Sequence, residues 1–564
     1  MRVDTPSRPA AARRFLQINP ADNVLVALQD LPAGTAVEHA GQQLVLPQLV
    51  RAKHKFPTVA LGVGEAVRMY GVRVGRATQP IAAGEALTPA NLAHEAEPYS
   101  VARRQPWHWQ APSVAGWQDV TFQGYEREDG RAGTRNYWLV VPLVFCENRN
   151  VRLLQDAFER ALGYGKTDRY RQQVERLAAD YRAGRLADAA PGLAPTAEQV
   201  APAAPARSAL FPNVDGVKFL THEMGCGGTT EDAQTLCDLL AGYIAHPNVG
   251  GVTVLGLGCE KTQFSMLQAA LEARAPGFSR PLLYFNQQTY GTETALLDAA
   301  VEQTFRGLMQ LNQHTRRPMP LSKLSAGLKC GGSDGFSGIS ANPAVGFLSD
   351  LLVALGGTTL LAEFPELCGV EQEMIDRCTT EADAARFVHL MDEYAGQAAA
   401  VGAGFDMNPS PGNIRDGLIT DAIKSTGAAK KGGDAPVAGV LAYTEPPRQP
   451  GLHLLCTPGN DVLATSGMAG SGATIILFTT GLGTPTGNPI TPTVKISTTT
   501  SLAQRMPDII DFDAGPIIAG EETIAEAGER LLRWLVRLAS GEYLTKAELL
   551  GQDDFIPWRR GVNL

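Results

Sequence analysis

Hydrophobic residues near the start of this chain come in short runs separated by turns. From about Phe15 to Glu97, segments such as 23–28 and 71–77 alternate with Ala-Gly turns at 33–34 and 83–84. Short apolar segments bounded by glycine turns are typical of β-strands. The pattern therefore predicts a small β-rich domain over residues 15–97.

Beyond Val217 the apolar runs are longer and end in glycine loops. Gly251–Gly258 reads as a buried strand, and Lys261–Arg274 continues as an amphipathic helix. Three further segments repeat the form of a strand followed by a loop: 321–329, 358–363 and 473–481. We therefore predict an α/β region, with functional residues at the strand ends as in open α/β sheets.

Composition along the chain suggests the domain boundaries. Residues 98–116, rich in Pro, Trp and Gln, read as a linker between the β-rich domain and a first α/β part over 117–320. A second α/β part covers 321–564. An Ala- and Pro-rich stretch within about 165–210 cannot supply a core and predicts a surface insertion, which includes a charged, helix-like segment over 172–186.

Charge and hydropathy exclude several classes of protein. The 564 residues carry a formal charge of −9 without basic blocks, so nucleic acid is not expected as a partner. The sequence has no apolar stretch of about 18 residues and no signal-peptide core, which predicts a cytoplasmic protein without membrane contact. We also expect a homo-oligomer, such as a dimer. Eight cysteines are too sparse for a disulfide framework and suit metal binding or catalysis better.

Four cysteines stand in unusual surroundings. Cys226, Cys259 and Cys330 lie beside glycines, and Cys146 precedes an acid. Glycine lets the backbone approach an ion closely, and thiolates favour iron or zinc over magnesium or calcium. We predict all four as metal ligands. The alternative is that they are small residues that pack tight loops.

Other polar residues near these loops are candidates for catalysis or for substrate binding. The catalytic candidates are His54, Lys55, His222, Glu260, Asp334 and Lys424. The candidates for binding a hydroxylated acid are Arg135, Asn136, Ser333, Ser337, Asn342, Thr479, Thr480 and Gly481. Histidine and carboxylates can ligate metal or move protons, and a cation can pair with a carboxylate. Loop capping, turn formation and solvated surface charge are the competing explanations.

Several of these motifs also carry a family resemblance. The runs are Gly124–Tyr137, His246–Val249, 256–260 (GLGCE), 330–346 (CGGSDGFSGISANPAVG), 408–413 and 478–481. In this order they resemble the altronate/galactarate dehydratase family. Residues 21–24 and 53–56 resemble the SAF domain that precedes the dehydratase region in full-length members. The resemblance covers nearly the whole chain.

The resemblance implies iron-dependent dehydration of a sugar acid such as altronate to a 2-keto-3-deoxy acid. In that chemistry a metal stabilises the charge that forms when the proton beside the carboxylate is removed, and a base and an acid move the protons. Mononuclear Fe²⁺ is favoured over an iron–sulfur cluster because no compact cysteine motif is present. Another divalent metal is a further alternative.

Two other functions stay open at this point. The chain could be a related lyase, acting on galactarate or releasing sulfite from sulfolactate. It could also be a non-catalytic sugar-acid binding protein, although no DNA-binding motif accompanies the SAF-like region.

Overall fold

A computed structural model describes residues 13–164, 169–184 and 209–563. Most of the predicted surface insertion at 165–210 lies outside these residues. Within it, the structure describes a helix over Arg169–Arg182, where the sequence predicted a helix-like segment over 172–186.

The strands are numbered in chain order. They are β1 Phe15–Leu16, β2 Val24–Ala27, β3 Ala36–His39, β4 Gln42–Val45, β5 Lys55–Pro57, β6 Ala66–Met69, β7 Val72–Ala77, β8 Leu92–Ala93, β9 Thr121–Glu126, β10 Ala132–Gly133, β11 Tyr137–Pro142, β12 Gly216–Phe219, β13 Val249–Gly256, β14 Leu282–Asn286, β15 Arg317–Pro320, β16 Ser325–Cys330, β17 Thr358–Ala362, β18 Val437–Leu441, β19 Gly451–Leu455, β20 Ile475–Thr480, β21 Thr493–Ser497 and β22 Phe512–Asp513.

The α-helices of the described residues are numbered in the same way. They are α1 Asn148–Leu162, α2 Arg169–Arg182, α3 Thr230–Ile244, α4 Phe264–Arg274, α5 Gln287–Tyr290, α6 Glu293–Leu311, α7 Ala341–Ala354, α8 Glu371–Arg377, α9 Glu381–Ala400, α10 Pro411–Arg415, α11 Asp421–Ala429, α12 Asp461–Gly470, α13 Thr500–Arg505, α14 Pro516–Ala519, α15 Ile524–Ala539 and α16 Lys546–Leu550.

The chain divides into two compact units, each built from separated stretches. The first unit comprises residues 1–122, 318–485 and 493–542, and the second comprises 123–317, 486–492 and 543–564. Each predicted domain is one continuous stretch of sequence, whereas each unit combines separated stretches, so the predicted boundaries stay a prediction. No helix among the described residues is both long and apolar enough to cross a lipid bilayer.

The N-terminal part of the first unit is built from short antiparallel strands, which confirms the predicted β-rich region. Its small sheets have the orders β1-β2-β5, β3-β4 and β6-β7-β8. Met69 and Val74 share a buried apolar cluster with Phe336, Ile339 and Ile423 from the α/β part. The β-rich region and the α/β part of this unit therefore share one core.

A seven-stranded sheet forms the centre of the first unit, in the order β18-β19-β17-β16-β20-β21-β22. Its paired neighbours are parallel, as the near-continuous apolar runs of the sequence predict. All six residues of β20 are buried. Because parallel strands end at one edge of a sheet, the loops after β16, β17, β20 and β21 gather there.

The second unit holds a four-stranded parallel sheet in the order β12-β11-β13-β14. Its core includes the fully buried Trp138, whose indole nitrogen donates to Thr253 Oγ1 at 3.0 Å. A Cβ atom at Gly307 would lie 2.0 Å from this ring, and one at Gly251 would lie 2.3 Å from it. Two glycines thus make the space that the tryptophan fills.

Candidate active site

A sharp glycine turn follows the central strand of the first unit. Cys330 ends β16 and is 2% exposed. A Cβ at Gly331 would lie 2.5 Å from Asp461 Oδ1, and Gly332 has a φ of +58°. The missing side chain of Gly331 lets the loop lie against the carboxylate of Asp461, and Gly332 adopts a left-handed backbone conformation that favours glycine.

Buried ammonium and carboxylate groups surround Cys330. Lys329 Nζ lies 2.5 Å from Glu363 Oε1 and 2.7 Å from Asp461 Oδ1. Lys431 Nζ donates to Cys330 Sγ at 2.7 Å. Glu363 follows β17 directly, which brings the ends of two adjacent strands into one ionic network.

Glu366 completes this network from the turn that follows Glu363. Cys330 Sγ donates to Glu366 Oε2 at 3.2 Å, and Lys424 Nζ donates to Oε1 at 2.7 Å. Lys424 also donates to Asn408 Oδ1 at 2.9 Å. The donor atoms of Cys330, Glu363 and Glu366 all lie within 4.8 Å of one another. We call these three residues with Lys329, Lys424, Lys431 and Asp461 the Cys330 cluster.

Burial and neighbouring charges give the acidic groups of the Cys330 cluster different pKa values. Burial, followed by the charge of Glu366, raises the pKa of Glu363 to about 7. Burial also opposes ionisation of Glu366, but Lys424, Lys329 and Lys431 outweigh it and hold that pKa well below its ordinary value. Burial, followed by the Glu366 charge, raises the pKa of Cys330 to about 11. At neutral pH Cys330 is therefore a thiol, Glu366 is ionised, and Glu363 is present in both its protonated and its ionised form.

Asp334 lies on the same loop and accepts bonds on both carboxylate oxygens. Lys53 Nζ lies 2.9 Å from Oδ2, and Thr498 Oγ1 donates to the same oxygen at 3.1 Å. Ser337 Oγ and the Phe336 backbone N–H donate to Oδ1 at 3.1 and 3.2 Å. A carboxylate this well bonded acts as a fixed anion that ties the β-rich region to the sheet.

His54 and Lys55 approach the segment that precedes α11. Lys55 is buried and donates from Nζ to Gly417 O at 2.6 Å, and burial lowers its pKa to about 7. His54 Nε2 lies 3.2 Å from Arg415 O, and burial lowers its pKa below 6.5. The imidazole is therefore neutral at pH 7 and can accept a proton.

The other three predicted cysteine ligands lie together in the second unit. Cys146, Cys226 and Cys259 follow β11, β12 and β13, which are adjacent in the sheet, and all three are exposed. Burial and then the charges of Cys226 and Cys259 raise the pKa of Cys146, so both of these thiols lie within electrostatic reach of Cys146. The structure thus places Cys330 in one unit and the remaining three thiols in the other.

Family models match the chain in three consecutive segments. Residues 13–95 match the altronate/galactarate dehydratase SAF domain. Residues 124–312 match the second domain of D-galactarate dehydratase/altronate hydrolase. Residues 321–563 match the C-terminal domain of D-galactarate/altronate dehydratase.

Whole-chain relatives agree with these matches. The altronate dehydratase of Escherichia coli strain K12 is 34% identical over 94% of this chain and 96% of its own length. That of Bacillus subtilis strain 168 is 32% identical over the same shares. The chain belongs to the altronate/galactarate dehydratase family. The galactarate dehydratase (L-threo-forming) of Escherichia coli strain K12 is 36% identical over 54% of this chain and 59% of its own length. The family resemblance, the α/β fold and the assignment as a sugar-acid dehydratase, a hydro-lyase, are confirmed.

Most predicted substrate-binding residues of this dehydratase brace the loops around Asp334. Thr479 Oγ1 donates to Asn342 Oδ1 at 2.6 Å, and Asn342 Nδ2 donates to Gly427 O at 2.8 Å. Thr480 Oγ1 accepts the Gly483 N–H at 2.9 Å. A Cβ at Gly481 would lie 2.3 Å from the Asp334 carboxylate carbon. These contacts position the loops, whereas direct contact with substrate stays a prediction.

Ser333 and Ser337 occupy the same loop. The carbonyl of Ser333 accepts from Asn413 Nδ2 at 2.7 Å, and Ser337 Oγ accepts the Asp334 N–H at 2.9 Å. Asn413 belongs to α10, close in sequence to Arg415 and its contact with His54. The 408–417 segment of the dehydratase therefore touches both the Cys330 cluster and the β-rich region.

His222 hydrogen-bonds the backbone of its own region, which is the alternative that a loop histidine suggests. Its Nε2 lies 2.9 Å from Pro142 O and its Nδ1 accepts the Met224 N–H at 3.1 Å, so both ring nitrogens are used. Burial lowers its pKa to about 4. The neutral ring holds the loop before Cys226, and a role as metal ligand or base stays a prediction.

Arg135 and Asn136 are also engaged within the second unit. The Arg135 guanidinium is fully buried and pairs with both oxygens of Glu548 at 2.8 and 3.1 Å. Asn136 Nδ2 donates to Asn213 O at 2.8 Å. Both side chains therefore stabilise the second unit through internal bonds, and their contact with substrate stays a prediction.

Glu260 is buried and directly follows the exposed Cys259. The Gly258 N–H donates to its Oε2 at 2.5 Å. Within the described part of the chain, its Oε1 is buried without a hydrogen-bond partner.

Sequence reasoning missed the charged partners of Cys330. These are Lys329, Glu363, Glu366, Lys431 and Asp461. The positions of Glu363 and Lys329 in the sequence could have indicated a buried ion pair. Each lies at the end of an apolar strand, where a buried charge is destabilising unless it is paired.

Proposed function

We propose that this protein removes water from altronate or a closely related aldonate and yields the 2-keto-3-deoxy acid. The observation that carries the proposal is the Cys330 cluster. In it the pKa of Glu363 is raised, the pKa of Glu366 is lowered, and lysine side chains lie beside both carboxyl groups. The two altronate dehydratases that match 94% of the chain support the choice of substrate. The reaction loses the proton beside the carboxylate and the hydroxyl on the next carbon, and the enol then becomes the keto acid.

Proton transfer needs a base and an acid in this reaction. We assign the base to His54, whose lowered pKa keeps it neutral at pH 7. We assign the acid to Glu363, whose pKa of about 7 leaves part of the population protonated. In support of this role, its Oε2 is buried with no hydrogen-bond partner among the described residues, so one hydrogen-bonding position of this carboxyl is unused.

Lys424 is the proposed partner of the substrate carboxylate. Burial opposes its charge, but Glu366 and Cys330 raise its pKa above the ordinary value, so it stays positive. A fixed positive charge stabilises the negative charge that builds on a carboxylate when the neighbouring proton leaves.

Iron is the proposed metal of the dehydratase, and when bound it would supply a Lewis acid. The Cys330 cluster fits a cation poorly, because Lys431 contacts the thiol and Lys424 contacts Glu366. Its three carboxylates are already matched by three lysines. The exposed thiols of Cys146, Cys226 and Cys259 suit a soft metal better.

The substrate assignment is tested by incubating anaerobically purified, iron-supplemented protein with altronate, galactarate and sulfolactate. Keto acid measured by mass spectrometry should form fastest from altronate. Sulfite release from sulfolactate without keto acid from any sugar acid would contradict the proposal.

The site is tested with Lys424→Met, which should lower kcat/KM by about 10²–10³-fold because one charge-stabilising group is lost. Lys323→Met, at an exposed lysine of the same unit, is the matched control. Equal activity in the two variants would remove Lys424 from the proposed site.

The acid–base assignment predicts a bell-shaped pH profile. Activity should rise with pH through the pKa of His54, below 6.5, and fall above about 7 as Glu363 loses its proton. Glu363→Gln should abolish the alkaline limb. A profile with an unchanged alkaline limb in that variant would exclude Glu363 as the acid.

A further inference from the structure

Three adjacent parallel strands of the second unit each deliver one cysteine to the same edge of the sheet. Cys226 follows β12, Cys146 follows β11 and Cys259 follows β13, and the sheet order is β12-β11-β13-β14. Of the eight free cysteines, these three are exposed and the other five are buried. Ordinary unreactive cysteines are buried, so three exposed thiols at one sheet edge point to a ligand.

Hydrogen bonds lock the three cysteine loops together. The Phe145 N–H donates to Met224 O at 3.0 Å, and the Lys261 N–H donates to Gly225 O at 2.8 Å. Thr262 Oγ1 donates to Leu143 O at 2.5 Å. Each bond joins the loop of one cysteine to the loop of another.

Glycine allows these loops to approach so closely. A Cβ at Gly225 would lie 2.2 Å from Leu143 O, and this residue has a φ of +98°. Any other residue would push the Cys226 loop away from the Cys146 loop. The arrangement of the three thiols is therefore built into the backbone.

The spread of the three sulfur atoms distinguishes between metal centres. One zinc or iron ion with bonds of 2.3 Å needs sulfur atoms about 3.8 Å apart. Among the described residues, the one group of three donors within 4.8 Å of one another is Cys330, Glu363 and Glu366. At least two of the three exposed sulfur atoms are thus more than 4.8 Å apart, which is wider than a single ion requires, although hydrogen bonds hold their loops together. A cluster several atoms across fits that spacing.

The polar surroundings agree with a bound, partly open centre. Glu147 and Glu260 are buried beside the cysteines that they follow, at 1% and 2% exposure. A surface pocket at Cys226 is also lined by Lys261 and Arg559. Those cations can offset the negative charge of bound thiolates.

We propose that Cys146, Cys226 and Cys259 hold a four-iron, four-sulfur cluster, with one iron left without a protein thiolate. This inference goes beyond the proposed function, because it assigns the iron to the second unit and states its form. The sequence prediction of mononuclear iron shared by four cysteines is replaced by a cluster on three of them.

The full-length protein, purified anaerobically and reconstituted with ferrous iron and sulfide, provides the test. About four iron and four acid-labile sulfide per chain are expected, with a broad visible absorption band and an EPR signal after reduction. Cys146→Ser, Cys226→Ser and Cys259→Ser should each lose most of the sulfide and the signal. Cys237→Ser, at a buried cysteine of the same unit, should retain both.

A second measurement on wild-type protein avoids variants that fail to fold. Alkylation mapped by mass spectrometry should label the three thiols in the metal-free protein and spare them after reconstitution. Iron bound without sulfide, or equal labelling in both states, would overturn the cluster. Sugar-acid turnover by protein that binds no sulfide after reconstitution would overturn the cluster but keep the dehydratase proposal, and a bound cluster without sugar-acid turnover would do the reverse.

Discussion

Single residues in this dehydratase owe their protonation states to burial. Asp421 begins α11 and is 1% exposed, and burial raises its pKa to about 8. Its Oδ1 accepts from Ser425 Oγ at 3.1 Å, and the Cys368 thiol also interacts with this carboxyl. The folded protein therefore keeps this carboxyl protonated at neutral pH, although the unfolded chain would ionise it.

The stability of the protein should fall with rising pH through this group. The folded pKa is raised, so the contribution of Asp421 is fully present below about pH 4 and is lost as pH rises towards about 8, at about 1.4 kcal/mol per pH unit at most. Asp421→Asn should flatten the dependence of Tm on pH between 5 and 8, and exposed Asp298→Asn should not. Parallel melting curves for both variants would contradict this expectation.

Helices of the protein use glycine for two different reasons. Gly307 in α6 faces Trp138, whereas Gly396 in α9 has no atom within 4 Å of a built Cβ. The first glycine makes room for packing, and the second only lowers the stability of its helix.

Alanine at these two positions should therefore have opposite effects. Gly396→Ala should stabilise the protein by roughly 0.5–1 kcal/mol, because it raises helix propensity at an open site. Gly307→Ala should destabilise it by roughly 1–3 kcal/mol, because the new methyl group overpacks the core. Thermal unfolding of the two variants side by side checks the prediction, and a gain in Tm for both would refute it.

The short helix α16 is fixed to β11 by one buried ion pair. Arg135 pairs with Glu548, and Tyr137 Oη donates to the same carboxylate at 2.9 Å. Arg135→Met would leave that carboxylate buried without its cation and should cost about 3–5 kcal/mol. Arg306→Met, which removes an exposed pair with Glu302, should cost less than about 1 kcal/mol. Chemical denaturation measures both, and equal midpoints would show that the buried pair is not essential.

At the scale of the whole molecule, the SAF region shares its core with the C-terminal part of the chain. Phe336, Ile339 and Ile423 pack against Met69 and Val74, and Lys53 pairs with Asp334. The SAF region should therefore be inseparable from the first unit.

A chain that lacks residues 1–96 should expose these apolar side chains. We expect increased fluorescence of a hydrophobic dye and aggregation in light scattering, both compared with the full-length protein. A monodisperse truncated protein with unchanged dye binding would show that the interface is dispensable.

Local patterns were sufficient to predict much of this protein. The apolar runs at 251–258 and 473–481 indicated buried strands, because a strand covered on both faces must be apolar throughout, and the structure has strands at Val249–Gly256 and Ile475–Thr480. Long motifs such as 330–346 indicated the family, and the glycines beside Cys226 and Cys330 marked sharp turns. These features depend on neighbours in the sequence.

Only the tertiary structure decided which distant side chains meet. It separated Cys330, which contacts Lys431 and Glu366, from the three exposed thiols, and it paired Arg135 with Glu548. Such contacts depend on strand order and loop path, which no local pattern encodes. The sequence by itself determined the elements and the kinds of chemical groups at their ends. The fold decided their partners and charges, because burial and pairing set each proton affinity.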